Sequence, residues 1–237
     1  MIFMRKKLMI VLAILVIALI SYGLYYVSDY SHADADAAAY LNGTENVSVN
    51  KVSNSLFLDG SGNDTALIFY PGAKVEYTSY LPLLMELANN GVDCYIVEMP
   101  FNLAFLDMNA ADSIISSTNY SHYILAGHSL GGVVASSYVN HSSNVDGLIL
   151  LAAYPTEKIT KPTLSIYGSE DHVLDVKKYN ESKPLISNLT EFVISGGNHA
   201  QFACYGNQSG DGMANITSQT QQNQTASKML EFINSIK

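Results

Sequence analysis

Residues Tyr123–Val133 read YILAGHSLGGV. The apolar run at the start of this stretch predicts a buried strand, and the residues after Ser129, LGGVVASSYVN (130–140), predict a helix. The Gly-His-Ser-Leu-Gly motif therefore stands where a strand turns sharply into a helix. An elbow of this kind holds a serine in a tight turn with its hydroxyl exposed, and the free N–H groups of the helix point to the same place. Ser129 is thus a candidate nucleophile.

A serine hydroxyl is a weak nucleophile unless a base removes its proton, and the base needs an acid to orient it. Two polar residues follow later apolar runs and fit these roles. His199, in GGNHAQF, comes directly after EFVISGG (191–197), and Asp171 follows PTLSIYG (162–168) by three residues. Polar groups at the carboxyl ends of parallel strands meet at one edge of a sheet. We therefore expect both residues to lie close to Ser129.

The expected roles follow from this order along the chain. Ser129 attacks a carbonyl carbon, His199 takes the serine proton and passes it to the leaving group, and Asp171 holds the imidazole in the required tautomer. Asp175, four residues further along, is the alternative acid.

The oxyanion of such a reaction needs two N–H donors. The sequence predicts the amide of Leu130, which follows the nucleophile, and an amide from the loop YPGAKVE after the strand at 66–70. Within that loop the expected donor is Ala73, and Lys74 is the alternative.

Apolar runs of strand length alternate with helical patterns over most of the chain, which predicts an α/β fold with a mostly parallel central sheet and helices on both faces. The segment VSVNKVSNSLFLDG (47–60) can add one or two edge strands, and PTEKITK (155–161) leaves no room for a cap domain. The predicted strands are 66–72, 92–100, 122–128, 145–154, 162–168 and 191–197, and the predicted helices are 79–91, 107–118, 130–140 and 220–236.

The N-terminal residues 1–27 form a separate predicted module. MIFMRKK precedes the uncharged run Leu8–Val27, and twenty helical residues span about 30 Å, the thickness of the hydrocarbon core of a bilayer. Two interpretations fit: a transmembrane anchor, which the length of the run favours, and a cleaved signal peptide. Residues 28–46 hold few large apolar side chains and are predicted to be a linker to a catalytic domain at 47–237.

The basic cluster before the apolar run predicts that the catalytic domain lies outside the cytoplasm. Asn-x-Ser/Thr sequons agree with this location: they include ten of the 19 asparagines, where 37 Ser and Thr in 237 residues would give about three by chance. We therefore expect a glycosylated outer surface. The sequons begin at Asn42, Asn46, Asn63, Asn119, Asn140, Asn180, Asn188, Asn207, Asn215 and Asn223.

Charge and cysteine content exclude several classes of protein. The formal net charge is −9, which disfavours nucleic acid as a partner. Cys94 and Cys204 are too few for a disulfide scaffold. The two cysteines either form a disulfide with each other or remain free thiols. The apolar surroundings of Cys94 favour the free form. The histidines are scattered, so neither a metal nor another cofactor is expected.

The chain from about Ala66 onward resembles a family of compact α/β-hydrolases, many of them exported or membrane-anchored. The matching stretches are IFYPGAKVE, VEMPFNLAFL, GHSLGGVVA, GLILLAAYP, SIYGSEDHV and GGNHAQFACYGNQSGDGMANI, and the block GGNHAQF with the following YG is the most specific. The resemblance implies a triad of Ser129, Asp171 and His199. Cys204 departs from the family pattern, which predicts a different pocket wall near His199.

Together these features predict a serine hydrolase of the carboxylesterase type, acting through an acyl-enzyme on small or surface-displayed esters. The expected partners are the ester substrate and, through the N-terminal helix, a membrane. The alternative is a non-catalytic cell-surface glycoprotein that keeps the hydrolase fold as a binding module.

Overall fold

The computed structural model describes residues 2–62 and 64–237. The contacts between residues divide the chain into two compact units, Met1–Tyr30 and Ser31–Lys237. The first unit consists of helix α1, Ile2–Ser28. Its segment Arg5–Ser28 is long and apolar enough to cross a membrane, and it is the one described helix that meets this test of length and composition. A signal sequence meets the same test, so length and composition do not distinguish an anchor from a signal segment.

The second unit is built around one eight-stranded sheet with the order β1-β2-β4-β3-β5-β6-β7-β8. Strands β3 to β8 run parallel to one another, whereas β2 is antiparallel to both β1 and β4. The strands are β1 Ser48–Val52, β2 Ser55–Asp59, β3 Thr65–Tyr70, β4 Asp93–Val97, β5 His122–His128, β6 Gly147–Leu151, β7 Thr163–Gly168 and β8 Leu189–Ile194.

The central strands are apolar along their whole length because both faces of the sheet are covered. Every residue of β3, β4 and β6 is buried. Helices α3 and α7 pack on one face, and α4 and α5 pack on the other. The helices of this unit are α2 Ala35–Ala38, α3 Leu81–Asn89, α4 Ala110–Ser117, α5 Leu130–His141, α6 Val176–Ser182 and α7 Ser218–Ser235. The α/β fold with a mostly parallel sheet is therefore confirmed.

Strand register brings the ends of particular strands together. Tyr70, the last residue of β3, pairs with Gly127 near the end of β5, and Gly168 at the end of β7 pairs with Ile194 at the end of β8. The loops that follow these strands therefore share one edge of the sheet, which we call the carboxyl edge. The predicted site residues lie in these loops, except Leu130, which is the first residue of α5.

The segment predicted to be a linker, 28–46, contributes residues to the second unit from Ser31 onward. The Ser31 N–H donates to the carbonyl of Lys74 at 2.7 Å, and the Asp34 N–H donates to the carbonyl of Cys204 at 2.9 Å. Ala37 is fully buried. Small side chains and backbone hydrogen bonds hold this segment in place, so the scarcity of large apolar residues does not make it free of contacts.

Both cysteines are buried free thiols. Cys94 lies inside β4, where burial raises the pKa of its thiol. The Cys204 sulfur accepts a hydrogen bond from Gln222 at 3.3 Å. A bridge between the two is therefore absent from the structure.

Candidate active site

The turn at Ser129 has the backbone of a strained elbow. Ser129 follows β5 directly and precedes α5, with φ 52° and ψ −126°. A non-glycine residue held in this sparsely populated region costs about 1–3 kcal/mol, and such strain is concentrated at functional sites. The Ser129 N–H donates to the carbonyl of Leu151 at 2.9 Å, which fixes the turn to β6. The sheet therefore maintains a conformation that the isolated chain would avoid.

Two glycines of the motif allow the helix to approach the sheet. A Cβ on Gly131 would lie 2.2 Å from the carbonyl oxygen of Tyr70, and one on Gly127 would lie 2.5 Å from the carbonyl carbon of Gly131. Both distances are far shorter than a carbon atom can tolerate against backbone. The motif thus places the first turn of α5 directly against the ends of β3 and β5.

His199 and Asp171 form a buried pair. The imidazole Nδ1 lies 2.9 Å from the Asp171 Oδ2, and both side chains are almost completely buried. The other oxygen of Asp171, Oδ1, accepts the N–H groups of Val173 at 2.9 Å and Leu174 at 2.8 Å. Because three donors surround the carboxylate, its position and orientation are fixed. An acceptor at Oδ2 places the proton of the neutral imidazole on Nδ1 and leaves Nε2 able to accept one.

Ser129 and His199 line the same cavity at the carboxyl edge. This cavity has a volume of about 240 Å³. The remainder of its wall comes from the start of α5, the end of β6 and the loop after β7, through Leu130, Val133, Ala152, Ala153, Tyr154, Val173, Leu174 and Asp175. The ends of four strands, β5 to β8, thus supply the serine, the imidazole and the wall between them.

Asp175 has a different role from Asp171. It is the N-cap of α6, where its Oδ1 accepts the N–H of Lys178 at 3.1 Å. This hydrogen bond, followed by the charge of Lys178, lowers the pKa of the Asp175 carboxyl. Although Asp175 lines the cavity, the carboxylate that accepts the hydrogen bond of the imidazole Nδ1 is that of Asp171.

The loop after β3 carries one backbone N–H, that of Ala73, that makes no hydrogen bond to the described residues. The N–H of Gly72 donates to the Tyr80 hydroxyl at 3.0 Å, and the N–H of Lys74 donates to the carbonyl of Asn102 at 2.8 Å. Neither the Ala73 N–H nor the Leu130 N–H makes a hydrogen bond to an acceptor among residues 2–62 and 64–237. The donor predicted as the alternative, Lys74, is therefore already engaged.

A family model described as the alpha/beta hydrolase family matches residues 66–223. This range holds Ser129, Asp171 and His199 and covers well over half of the chain. The chain belongs to the alpha/beta hydrolase family. The resemblance predicted from GHSLGG and GGNHAQF is thereby confirmed at the level of the family.

Solved structures show that this alpha/beta hydrolase shares its fold with proteins of very different sequence. TT1662 from Thermus thermophilus is 13% identical, with a TM-score of 0.59 over 78% of this chain and 98% of that one. Est1E from Butyrivibrio proteoclasticus is 13% identical, with a TM-score of 0.55 over 80% and 100%. A laboratory-evolved variant of potato epoxide hydrolase StEH1 is 11% identical, with a TM-score of 0.61 over 80% and 99%. A comparison with curated proteins found no match.

Sequence reasoning missed one part of this hydrolase site, a buried link between the elbow and the loop after β3. The His128 Nδ1 lies 2.8 Å from the hydroxyl of Tyr80, and that hydroxyl also accepts the N–H of Gly72. The His128 ring lies beside that of His199, with 4.5 Å between centroids and a tilt of 45° between the ring planes. The link therefore joins the residue before the nucleophile to the residue before Ala73. No local pattern signals it, since Tyr80 and His128 are 48 residues apart.

Burial, followed by the charge of His199, lowers the pKa of His128 well below its ordinary value. The folded protein thus keeps His128 neutral at a pH where the unfolded chain binds a proton there. Folding stability should therefore fall as the pH drops below about 6.5, by about 1.4 kcal/mol per pH unit for this one group. A His128→Gln variant keeps a polar side chain at this position, but that side chain binds no proton in the folded or the unfolded chain.

We expect the free energy of unfolding of the native chain to fall more between pH 7 and pH 5 than that of His128→Gln. Denaturant unfolding of both full-length chains in the same detergent, followed by circular dichroism, measures the difference. Equal losses in the two proteins would mean that His128 titrates normally in the folded state.

Proposed function

We propose that this hydrolase is a serine esterase in which Ser129, His199 and Asp171 act as a catalytic triad. One observation carries the proposal: the buried His199–Asp171 pair opens onto the same cavity as the strained Ser129. A binding module has no need of a base, an acid and an exposed hydroxyl in this arrangement. The order of the three residues along the chain agrees with the order in this fold.

The proposed reaction proceeds through an acyl-enzyme. The Ser129 Oγ bonds to the carbonyl carbon of the ester while its proton passes to the Nε2 of His199. The carbon–oxygen bond to the leaving group then breaks, and His199 returns the proton to the departing alcohol. Water, deprotonated by His199, attacks the acyl-enzyme and releases the acid. Asp171 remains ionised and stabilises the imidazolium that forms in each half of the reaction.

The N–H groups of Leu130 and Ala73 are the proposed oxyanion donors. Leu130 is the first residue of α5, where an N–H has no acceptor within the helix. Ala73 carries the one N–H of residues 72–75 that the structure leaves without an acceptor. Donors that are already in position need no reorganisation when negative charge develops on the carbonyl oxygen. The Tyr80–His128 link supports this role because it anchors the neighbouring Gly72.

The size of the cavity favours a small acyl group. About 240 Å³ is below the usual range of pockets that enclose a drug-sized ligand. The connection between β6 and β7, residues 152–162, is too short for a cap domain. We therefore propose that the acyl part of the ester is short and that the alcohol part extends out of the site.

The alternative function is that of a non-catalytic surface protein that keeps the fold. Reaction with a fluorophosphonate probe separates the two, because the probe labels a serine only where a base activates it. Labelling of the folded full-length chain supports the esterase. A folded chain that is not labelled and hydrolyses no ester would support the binding module.

We also propose that the hydrolase unit lies outside the cytoplasm, anchored by α1. Basic residues on the N-terminal side of the apolar run support this orientation. The sequon asparagines support it further, since all of those described are exposed, while Asn63 lies outside the described residues. The exposed ones are Asn42, Asn46, Asn119, Asn140, Asn180, Asn188, Asn207, Asn215 and Asn223.

Expression in a cell that glycosylates exported asparagines should therefore yield a protein heavier than the 25.7 kDa of the chain. Treatment with an N-glycosidase should return the mass to that of the polypeptide, as mass spectrometry can measure. A control without α1 should stay in the cytoplasm at the unmodified mass. An unmodified mass for the full-length chain would contradict the proposed location.

A further inference from the structure

An apolar patch stands on the loop after β4, at the carboxyl edge. Its four side chains are exposed to solvent: Phe101 59%, Phe105 50%, Leu106 48% and Met108 41%. Four large apolar side chains within eight residues form a cluster of the kind that marks an interaction surface, unlike single exposed apolar residues. We call these four residues the apolar patch.

The backbone under the apolar patch is held in an unfavourable conformation. Phe101 and Asn102 have φ values of 53° and 55°, and each left-handed residue of this kind costs roughly 1 kcal/mol. The Asn102 carbonyl accepts the N–H of Lys74, and Ala104 is fully buried beneath the patch. The loop is therefore fixed, and its conformation places apolar side chains in water beside the loop that carries Ala73.

The chain enters the hydrolase unit at this same edge. Ser31, the first residue of the unit, donates to the carbonyl of Lys74, and its own carbonyl accepts the N–H of Glu76 at 2.9 Å. Only two residues separate Ser31 from Ser28, the last residue of α1. Because successive Cα atoms are 3.8 Å apart, the chain between them spans at most about 11 Å. The connection between α1 and the carboxyl edge is therefore short.

The sequons are distributed in agreement with this arrangement. None begins between residues 64 and 118 or between 141 and 179, which together include the loops that follow β3, β4, β6 and β7. Asn119 precedes β5, Asn140 lies near the end of α5, and Asn188 precedes β8, so these three mark the opposite edge of the sheet. Among the described loops of the carboxyl edge, the long loop after β8 carries sequons, at Asn207 and Asn215, and two more, Asn180 and Asn223, lie in the second turns of α6 and α7. Bulky hydrophilic glycans would thus leave the apolar patch uncovered.

We propose that the apolar patch docks the carboxyl edge onto the lipid surface, so that the substrates are short-chain esters of membrane-borne molecules. The substrate part of this inference rests on the proposed esterase. A short acyl group would enter the cavity while the rest of the substrate stays in the bilayer. Aromatic and aliphatic side chains are suited to the boundary between headgroups and acyl chains.

The docking is tested without reference to catalysis, because the chain contains no tryptophan. Phe105→Trp places a single tryptophan in the patch, and Asn144→Trp places one at an exposed position before β6, at the opposite edge. Each full-length variant is reconstituted into phosphatidylcholine vesicles containing brominated lipid. Quenching at position 105 with little at position 144 supports the proposal. Equal quenching at both positions overturns the proposal. An absence of quenching at position 105 also overturns it, and this is the result expected if the patch instead joins two copies of the chain.

The substrate class is tested with a second pair of measurements. The double variant Phe101→Asn, Phe105→Ser removes aromatic area from the patch and creates no sequon. Its rate on a butyrate ester held in vesicles by a hexadecyl chain should fall about tenfold, while its rate on a soluble butyrate ester should not change. Equal rates to the native chain on both esters, or equal losses on both, overturn the inference. Failure of the native chain to hydrolyse either ester or to react with fluorophosphonate would instead reject the esterase, and the quenching result would still decide the docking.

Discussion

Replacing Ser129 by alanine is expected to abolish fluorophosphonate labelling and to lower kcat/KM for a soluble butyrate ester by a factor on the order of 10⁴ or more. The hydroxyl is the only group lost, and its oxygen is the atom that forms the bond to the acyl group. The residue at 129 keeps the same strained backbone, since alanine and serine have similar preferences there. Circular dichroism should therefore show a folded chain, and the measurement is the rate of ester hydrolysis beside probe labelling.

Ser137→Ala provides the matched control for this variant. Ser137 lies on the same helix, α5, and its hydroxyl donates to Glu157 at 2.9 Å on the exposed side. Its loss should leave labelling and rate unchanged. Labelling that persists in Ser129→Ala, or disappears in Ser137→Ala, would show that the reactive serine is not the one at the elbow.

The fold could be predicted from the sequence because parallel strands buried on both faces leave a clear signal. The runs at 122–128 and 162–168 correspond to β5 and β7 within one residue at either end. The sequence predicts a helix after the strand at 162–168 but does not give its bounds, since only Tyr179 and Ser182 of the seven residues of α6 are buried and no apolar period marks it. The packing of residues 31–46 against the hydrolase unit is not predicted from the sequence for a related reason. Backbone hydrogen bonds hold this segment, and amino-acid composition carries no signal for such bonds.

The parts of the candidate site that follow from the topology of the sheet could be predicted from the sequence. Polar residues just beyond parallel strands must meet at one edge, so the proximity of Asp171 and His199 follows from the strand pattern. The choice between Ala73 and Lys74 required coordinates, because it depends on which N–H another loop has already engaged. The His128–Tyr80 link required them as well, since a histidine inside an elbow motif carries no sign of a partner from a distant helix turn.

The second large effect is expected at the acid, where Asp171→Asn should lower kcat/KM by a factor on the order of 10⁴. The two backbone N–H groups of Val173 and Leu174 select an oxygen at the position of Oδ1. The amide nitrogen of the asparagine must then face the Nδ1 of His199. An N–H donor there requires an unprotonated Nδ1, which moves the imidazole proton to Nε2. His199 would then present a proton to Ser129 and could not accept one.

Asp175→Asn distinguishes this mechanism from a general loss of negative charge beside the cavity. Both residues are aspartates near the site, and both changes remove one charge. Asparagine is as good an N-cap as aspartate, so α6 should be retained, and we expect the rate to stay within about twofold of that of the native chain. A loss at Asp175 equal to that at Asp171 would assign the effect to the local field. A large loss confined to Asp171→Asn, in a chain that remains folded, would show that the tautomer of His199 is what the carboxylate controls.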